Sequence, residues 1–232
     1  MTVRYSHPRD EMVRFLPASA RTVLDVGCSS GAFGERLRAH REVTRLIGLE
    51  PNCEAAELAQ NVYDQVVVGY FPQARDQLPA GELFEVIYFN DVLEHMHSPD
   101  QALAAASALL TSEGVIIASI PNVGHVSVLA PLILRNEWRY ADAGILDRTH
   151  VRFFTARSIR EFFDQAGWQI RRIEGINLVL RVGEERTRWW IKALSRLTFG
   201  GLDRFFYTQY VVVAEPRNRA PGRSLQESMP RQ

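Results

Sequence analysis

The most informative stretch of this sequence is Thr22-Val-Leu-Asp-Val-Gly-Cys-Ser-Ser-Gly-Ala-Phe-Gly34. It begins as a short apolar run around an acidic residue, Asp25, and continues into a loop of small residues before a helical pattern starts. Such a loop lets a ligand approach the backbone, because glycine readily adopts positive φ. The free N–H groups at the start of the next helix favour an electron-rich ligand. The stretch therefore predicts a strand, a loop and a helix that together bind a small, nucleotide-like molecule.

Strand and helix patterns alternate along most of the chain. Short β-branched runs predict seven strands, at 22–27, 44–49, 65–69, 84–89, 114–120, 168–174 and 206–214. Helical patterns occur at 32–40, 52–61, 99–110 and 155–166. This alternation is typical of an α/β fold with a mainly parallel sheet, helices on both faces and a ligand at the carboxyl ends of the strands. We predict a single domain over residues 1–215, followed by a disordered tail at 216–232, where apolar side chains are scarce.

Two of the predicted helices carry signals at their ends. Ser98 precedes Pro99 and is followed three residues later by Gln101, which predicts a side-chain N-cap with proline at the first helical position. Thr155 predicts a similar start for the fourth helix, and Gly167 predicts its end.

The composition excludes several classes of protein. The chain holds 27 basic and 27 acidic side chains, so its formal net charge is zero and gives no general reason to bind nucleic acid or an anionic membrane. Two cysteines, Cys28 and Cys53, suit a reducing compartment better than a disulfide framework. The first residues lack the apolar core of a signal peptide, and no apolar run approaches the roughly 20 residues needed to span a bilayer. We therefore expect a cytoplasmic protein without a nucleic-acid partner.

Two kinds of nucleotide compete for the first loop. A dinucleotide fingerprint has the spacing G-x-G-x-x-G, whereas Ser29 stands here where the middle glycine would be. Asp25 would be a poor neighbour for a pyrophosphate and suits a cationic or zwitterionic ligand. Glu50 ends the second strand about 20 residues after the loop, where a carboxylate can accept both hydroxyls of a ribose. The alternatives are a loop-stabilising role for Asp25 and a solvated strand end for Glu50.

Four segments resemble the class I S-adenosylmethionine-dependent methyltransferases. Val23-Leu-Asp-Val-Gly-Cys-Ser-Ser-Gly31 resembles their motif I, and Ile47-Gly-Leu-Glu50 their acidic second-strand end. Phe89-Asn-Asp-Val-Leu-Glu-His95 resembles the fourth-strand segment, and Leu109-Leu-Thr-Ser-Glu-Gly-Val115 the turn into the fifth strand. The resemblance covers residues 20–120 and implies a Rossmann-like class I methyltransferase fold with S-adenosylmethionine as the cofactor.

The resemblance also implies which residues form the cofactor site. Many members have an acidic residue after the third strand for the adenine amino group, whereas this chain reads Gly69-Tyr-Phe-Pro72. We therefore expect Tyr70 or Phe71 to pack on the base. The expected cofactor-binding residues are Asp25, Gly27, Cys28, Ser29, Gly31, Glu50, Pro51, Phe71, Asn90, Asp91 and Val92.

The C-terminal half contains a second set of resembling segments. Ile120-Pro-Asn-Val-Gly-His125, the Trp138-Arg-Tyr motif and Gly144 to Thr155 are similar to a bacterial subgroup associated with polysaccharide and O-antigen assembly, which implies a sugar hydroxyl as methyl acceptor. Residues 136–154 mix aromatic rings with carboxylates and arginines, which predicts a lid over the acceptor; a loop pinned to the core is the alternative. The expected substrate-binding residues are His125, Trp138, Tyr140 and Arg148. A phenol or amine acceptor, and a cofactor-binding protein without catalysis, stay open.

Methyl transfer to a hydroxyl predicts a general base, because a hydroxyl is a poor nucleophile at neutral pH. Histidine titrates near that pH, and His95, His125 and His150 follow strand ends or lie in the predicted lid. We favour His150, followed by His95. Asp147 is expected to orient an imidazole or to pair with Arg148.

Asp91, Glu94 and His95 are close in sequence and are residue types that bind metals. Glu94 and His95 begin a turn, however, so we expect their side chains to point elsewhere. The sequence therefore predicts no metal site.

Residues 186–199 mix two tryptophans and other apolar residues with four cations. Such a segment can lie on a membrane surface, but packing on the chain's own sheet or at a homodimer face is more common. We expect packing of the second kind.

Overall fold

The computed structural model describes residues 7–40, 42–178 and 202–217. Its strands are β1 (Thr22–Val26), β2 (Arg45–Glu50), β3 (Gln65–Val68), β4 (Phe84–Asn90), β5 (Leu110–Pro121), β6 (Trp168–Leu178) and β7 (Tyr207–Pro216). They form one seven-stranded sheet in the order β3-β2-β1-β4-β5-β7-β6. β1 to β5 pair in parallel, whereas β7 runs antiparallel to both β5 and β6. The predicted Rossmann-like, mainly parallel sheet is confirmed.

The helices of the described residues are α1 (Asp10–Val13), α2 (Ala32–His40), α3 (Cys53–Ala59), α4 (Pro99–Leu109), α5 (Val126–Arg135) and α6 (Ala156–Gln165). Short 3-10 turns occupy Gln73–Gln77, Leu93–His95 and Asp203–Phe205. The sequence analysis did not predict α1 or α5. Proline inside a helix removes a backbone donor and favours a break, and α5 contains Pro131. None of these helices is long and apolar enough to cross a membrane.

The predicted ends of α6 are correct, whereas the predicted start of α4 is correct only in part. The hydroxyl of Thr155 accepts a hydrogen bond from the backbone N–H of Ser158, and the Ser158 hydroxyl accepts from the N–H of Thr155, which completes a capping box. Gly167 lies just beyond α6 with φ +79°. The side chain of Ser98 makes no capping hydrogen bond. Instead, α4 begins at Pro99, whose ring fixes φ near the helical value.

Each face of the sheet packs against its own helices, because alternate side chains of a strand point to opposite faces. Leu24 and Ile87 lie in one apolar core with residues of α4 and α6. Val23 and Val86 lie in the other core with residues of α1, α2 and α3. Coverage of both faces leaves the carboxyl edge of the sheet as the place where polar side chains can gather.

The last strand continues past residue 215, where the predicted single domain ends. β7 extends to Pro216, and the backbone N–H of Arg217 donates to the carbonyl of Gly167 at 2.8 Å. The rest of the predicted tail, 218–232, and the predicted amphipathic segment 186–199 lie outside the described residues.

Candidate active site

A large cavity opens at the carboxyl ends of β1, β2 and β4. Its volume is about 1580 Å³, which exceeds the roughly 300–1,000 Å³ of a typical site for one small ligand. The cavity lining includes the loop after β1 and the end of β2. It also includes the Leu93–His95 turn and part of the 143–150 loop. The cavity is therefore large enough for a cofactor and a second molecule.

The loop after β1 adopts a backbone path that few residues tolerate. Gly27 has φ +79°, and a Cβ atom there would lie 2.7 Å from Cγ2 of Val92. Its N–H donates to the carbonyl of Leu49 at 2.7 Å. Ser29, in place of the usual glycine, also has positive φ, at +47°. Its N–H donates to Oε2 of Glu50 at 2.9 Å, which ties the loop to the end of β2.

Glu50 is buried at the end of β2, and its carboxylate is held at both oxygens. Oε2 accepts from the N–H of Ser29, and Oε1 accepts from the N–H of Asn52, each at 2.9 Å. Each carboxylate oxygen can accept a further hydrogen bond. The group is thus fixed in place with acceptor capacity left for two ligand hydroxyls.

Asp25 lies at the cavity wall, almost fully buried. Its Oδ2 accepts a hydrogen bond of 2.5 Å from the hydroxyl of Tyr63, whereas Oδ1 has no hydrogen-bond partner among the described residues. Burial raises the pKa of Asp25 to about 7; the Tyr63 hydrogen bond opposes this shift and the charge of Glu50 adds to it. Tyr63 was missed by the sequence analysis because it lies outside every motif and meets Asp25 only in the folded chain.

Asn90 and Asp91, at the end of β4, differ in what their side chains can do. Neither amide atom of Asn90 has a hydrogen-bond partner in the described part of the chain, although both are buried. Buried polar groups are normally paired, so a ligand in the cavity is the natural partner. Asp91 is already engaged: Oδ1 accepts from Ser119 Oγ and Gln209 Nε2, both at 2.7 Å, and Oδ2 pairs with Arg9.

The other predicted cofactor residues take different positions. Pro51, Phe71 and Val92 line the cavity, as does Tyr70, which is 73% exposed. Phe71 is buried and packs edge-on against Phe89. Cys28 also belongs to the lining, but its thiol is buried in a core, and burial raises its pKa.

Gly31 does not belong to the cavity lining. Its φ is +95°, and a Cβ atom there would lie 3.2 Å from Cα of Ala59. The contact of Gly31 is therefore with α3, and the residue shapes the turn into α2.

Glu94, His95 and His150 form a cluster in the cavity lining. One carboxylate oxygen and one nitrogen from each ring lie within 4.8 Å of one another, and the two rings pack edge to face at 4.7 Å. Nδ1 of His95 lies 3.2 Å from the carbonyl of Thr149, and Nδ1 of His150 lies 3.0 Å from the carbonyl of Ile145. A carbonyl only accepts, so we assign the proton of each ring to Nδ1, which leaves a lone pair on Nε2.

The expectation that Glu94 and His95 point away from a shared site is wrong, because the 3-10 turn Leu93–His95 brings both into the cavity lining, where they meet His150. Glu94 is 1% exposed, and neither of its carboxylate oxygens has a hydrogen-bond partner among the described residues. Burial raises the pKa of Glu94 to about 8, which Arg9 opposes and Asp147 reinforces. Burial and the neighbouring His150 lower the pKa of His95.

Asp147 positions the His95 ring indirectly, through Thr149. Its Oδ1 accepts from the backbone N–H of Thr149 at 2.8 Å and from the Thr149 hydroxyl at 2.7 Å. The carbonyl of Thr149 in turn faces Nδ1 of His95. Asp147 thus orders the turn that orients His95, while Arg148 pairs with Asp142 rather than with Asp147.

The four predicted substrate-binding residues do not line the cavity. His125 caps the start of α5, where its Nδ1 accepts from the N–H of Ser127 at 3.1 Å. Trp138 and Tyr140 pack around Phe153 and are partly exposed. The unpredicted helix α5 follows His125 directly. Of the predicted lid, residues between 143 and 150 line the cavity, and the aromatic residues before them do not.

The segment from His7 to Glu11 also lines the cavity, which no sequence pattern predicted. Arg9 donates to Oε1 of Gln209 at 3.2 Å and pairs with Asp91. A lone arginine near the start of a chain has no local pattern that marks it. The contact depends on the position of β7 beside β5.

In buffer containing EDTA, we expect Glu94→Gln to become more stable relative to the wild type as the pH rises. Arg9, Asp147, His95 and His150 surround the carboxyl, whose folded-state pKa is about 8 against an ordinary 4.5. The folded chain therefore holds a proton that the unfolded chain releases between these values. The wild-type free energy of unfolding thus loses up to about 1.4 kcal/mol per pH unit from this group, and glutamine removes this loss.

Urea unfolding of both proteins at about pH 5.5 and about pH 7.5 measures this difference. Glu57→Gln, at an exposed position on α3, is the matched control. Its free energy of unfolding should differ from that of the wild type by the same amount at both pH values. A Glu94→Gln difference that stays constant with pH would show that the buried carboxyl does not titrate as stated.

Comparison with known proteins agrees with this fold. The sequence model of the family described as "Methyltransferase domain" matches residues 3–173. A tRNA U34 carboxymethyltransferase of Vibrio atlanticus is 28% identical over 183 residues, covering 75% of this chain and 53% of the relative. A ubiquinone biosynthesis O-methyltransferase of Azorhizobium caulinodans is 30% identical over 131 residues, covering 52% of this chain and 51% of the relative.

A solved S-adenosylmethionine-dependent methyltransferase from Archaeoglobus fulgidus superposes with a TM-score of 0.64 at 18% identity, covering 88% of this chain and 90% of that one. The chain belongs to the methyltransferase-domain family, within the class I S-adenosylmethionine-dependent methyltransferases. S-adenosylmethionine is its cofactor. The chain spans about half the length of the curated relatives described above.

Proposed function

We propose that the chain transfers a methyl group from S-adenosylmethionine to a hydroxyl oxygen of a second molecule bound beside Glu94, His95 and His150. The observation that carries this proposal is the shared cavity. The loop after β1 and Glu50 line the same cavity as the histidine pair. A cavity of about 1580 Å³ has room for both molecules.

The residues on the β1–β2 side fit the cofactor. Glu50, fixed by two backbone N–H groups, would accept the ribose hydroxyls. The unpartnered amide of Asn90 and the unpartnered Oδ1 of Asp25 would face its polar groups. Phe71, with exposed Tyr70 beside it, would pack on the adenine ring. Glycine is required at position 27, because a Cβ atom there would collide with Val92, which also lines the cavity.

When bound, S-adenosylmethionine supplies an electrophilic methyl carbon, which forms a bond to the acceptor oxygen as the carbon–sulfur bond breaks and S-adenosylhomocysteine is left. The hydroxyl proton must leave during the same reaction. An imidazole with a lone pair on Nε2 can accept it, and His150 or His95 is the residue that we propose for this role. Asp147 and Thr149 position the His95 ring.

The choice of oxygen has two supports. One relative is named as an O-methyltransferase of ubiquinone biosynthesis, and a proton-accepting imidazole is more useful for a hydroxyl than for an amine that is already nucleophilic. A sugar or glycan hydroxyl is our first acceptor class, because of the resemblance of residues 120–155 to the polysaccharide-associated subgroup. A small-molecule phenol or amine, or binding without catalysis, is the alternative.

A screen with methyl-labelled S-adenosylmethionine tests the proposal. Acceptors are supplied in matched pairs. Each pair contains a hydroxyl compound, either a nucleotide-linked sugar or a catechol, and the corresponding amino compound. We expect label in a methyl ether of a hydroxyl member, with S-adenosylhomocysteine released in equal amount. Label on the amino members alone, or cofactor binding without transfer to any acceptor, would overturn the proposal.

A further inference from the structure

We propose that Glu94, His95 and His150 together bind a divalent cation, which holds and activates the acceptor hydroxyl. This inference rests on the proposed function, the methylation of a hydroxyl in this cavity. It differs in one step: the cation, rather than an imidazole that accepts the proton, activates the hydroxyl. The three residues come from two separate segments, the Leu93–His95 turn and the 143–150 loop.

The spacing of the ligand atoms suits a shared ion. The carboxylate oxygen and the two ring nitrogens all lie within 4.8 Å of one another. Adjacent ligands of a tetrahedral or octahedral cation are about 3.0–3.4 Å apart when each bond is about 2.1 Å long. Side-chain movements on the order of 1 Å would therefore bring all three atoms onto one ion.

Glu94 provides an independent reason to expect a cation. Its side chain is 1% exposed, and both carboxylate oxygens lack a hydrogen-bond partner within the described ranges. A buried carboxylate without a partner is costly. Arg9 is near enough to influence it electrostatically but pairs with Asp91. A cation between Glu94 and the two rings would satisfy this group.

The two histidines are oriented as metal ligands usually are. Ligating histidines donate the N–H of the other ring nitrogen to a carbonyl or carboxylate, which fixes the ring and the tautomer. Here both Nδ1 atoms face carbonyls, of Thr149 and of Ile145. Asp147 holds Thr149 through two further hydrogen bonds. The structure thus supplies both the ligands and the groups that support them.

One carboxylate and two imidazoles favour borderline cations such as Mn²⁺, Fe²⁺ or Zn²⁺ over Ca²⁺, which takes oxygen ligands. Three protein ligands leave coordination positions open toward the cavity. An acceptor hydroxyl in such a position would have its pKa lowered by the cation. Its proton could then pass to solvent water while the oxygen forms the bond to the methyl carbon.

Mn²⁺ binding to the full chain, freed of metal with EDTA and dialysed, tests the site by electron paramagnetic resonance and calorimetry. We expect one Mn²⁺ per chain in the wild type. Glu94→Gln and His150→Ala should weaken binding at least tenfold, a loss that even the removal of supporting groups can cause. Glu57→Gln, at an exposed position on α3 outside the cavity lining, should bind as the wild type does. Circular dichroism checks that each variant is folded.

A wild type that binds neither Mn²⁺ nor Zn²⁺, or cluster variants that bind as the wild type does, would overturn the cation site. The acceptor screen separates this failure from that of the proposed function. Hydroxyl methylation that continues at full rate in EDTA would refute the cation but leave O-methylation standing. Mn²⁺ bound at the cluster with methylation of amines alone would refute O-methylation but leave the site standing.

Discussion

His150→Ala is expected to lower kcat by about a hundredfold or more, with little change in the affinity for S-adenosylmethionine. The ring lies with His95 and Glu94 in the cavity lining, where we propose that the acceptor binds. The loop after β1 and Glu50 are held by their own backbone hydrogen bonds, to each other and to Asn52. The loss should occur whether the imidazole accepts the proton itself or holds a cation, because the acceptor hydroxyl is not activated in either case.

Single-turnover methylation and calorimetric cofactor binding, measured on the same preparation, separate the two effects. His95→Ala should behave similarly, and Glu57→Gln, outside the cavity lining, should retain the wild-type kcat. If both His150→Ala and His95→Ala methylated at the full rate, the cluster would have no part in the chemistry.

Glu50→Gln is expected to weaken S-adenosylmethionine binding by about 3 kcal/mol, on the order of a hundredfold in Kd. The amide nitrogen of glutamine donates rather than accepts, so one of the N–H groups of Ser29 and Asn52 would face another donor. The charged acceptor for the ribose hydroxyls would also be lost. Charge-assisted hydrogen bonds are the stronger ones, which is why this change should exceed that of any other cofactor contact.

Calorimetric titration of S-adenosylhomocysteine into Glu50→Gln and Glu57→Gln measures the difference. Glu57 is exposed on α3 and carries the same change of charge without touching the cavity. Equal affinity of the two variants would show that Glu50 does not hold the ribose.

The sheet was predictable because buried parallel strands are short, β-branched runs between turn signals. The structure places a strand at each predicted position, with small differences at the ends. Helix α5 escaped prediction because Pro131 lies within it. Trp138 and Tyr140 follow this helix and do not line the cavity, so their substrate-binding role stays a prediction.

The two sides of the site differed in how far the sequence could predict them. Asp25, Gly27 and Glu50 lie at the ends of adjacent parallel strands, so their meeting follows from the strand order. The meeting of His95 with His150 depends instead on a loop contact between distant segments, made through Thr149. No local pattern encodes that distance, and burial of Glu94 depends on the same contact.

Calorimetric titration of the full chain with S-adenosylmethionine and with NAD distinguishes the two nucleotides that the loop after β1 could hold. We expect S-adenosylmethionine and S-adenosylhomocysteine to bind at one site per chain, with Glu50→Gln weakening both, and NAD to give no measurable heat of binding. Tight binding of NAD together with no binding of S-adenosylmethionine would contradict the assignment of this cavity to a methyltransferase.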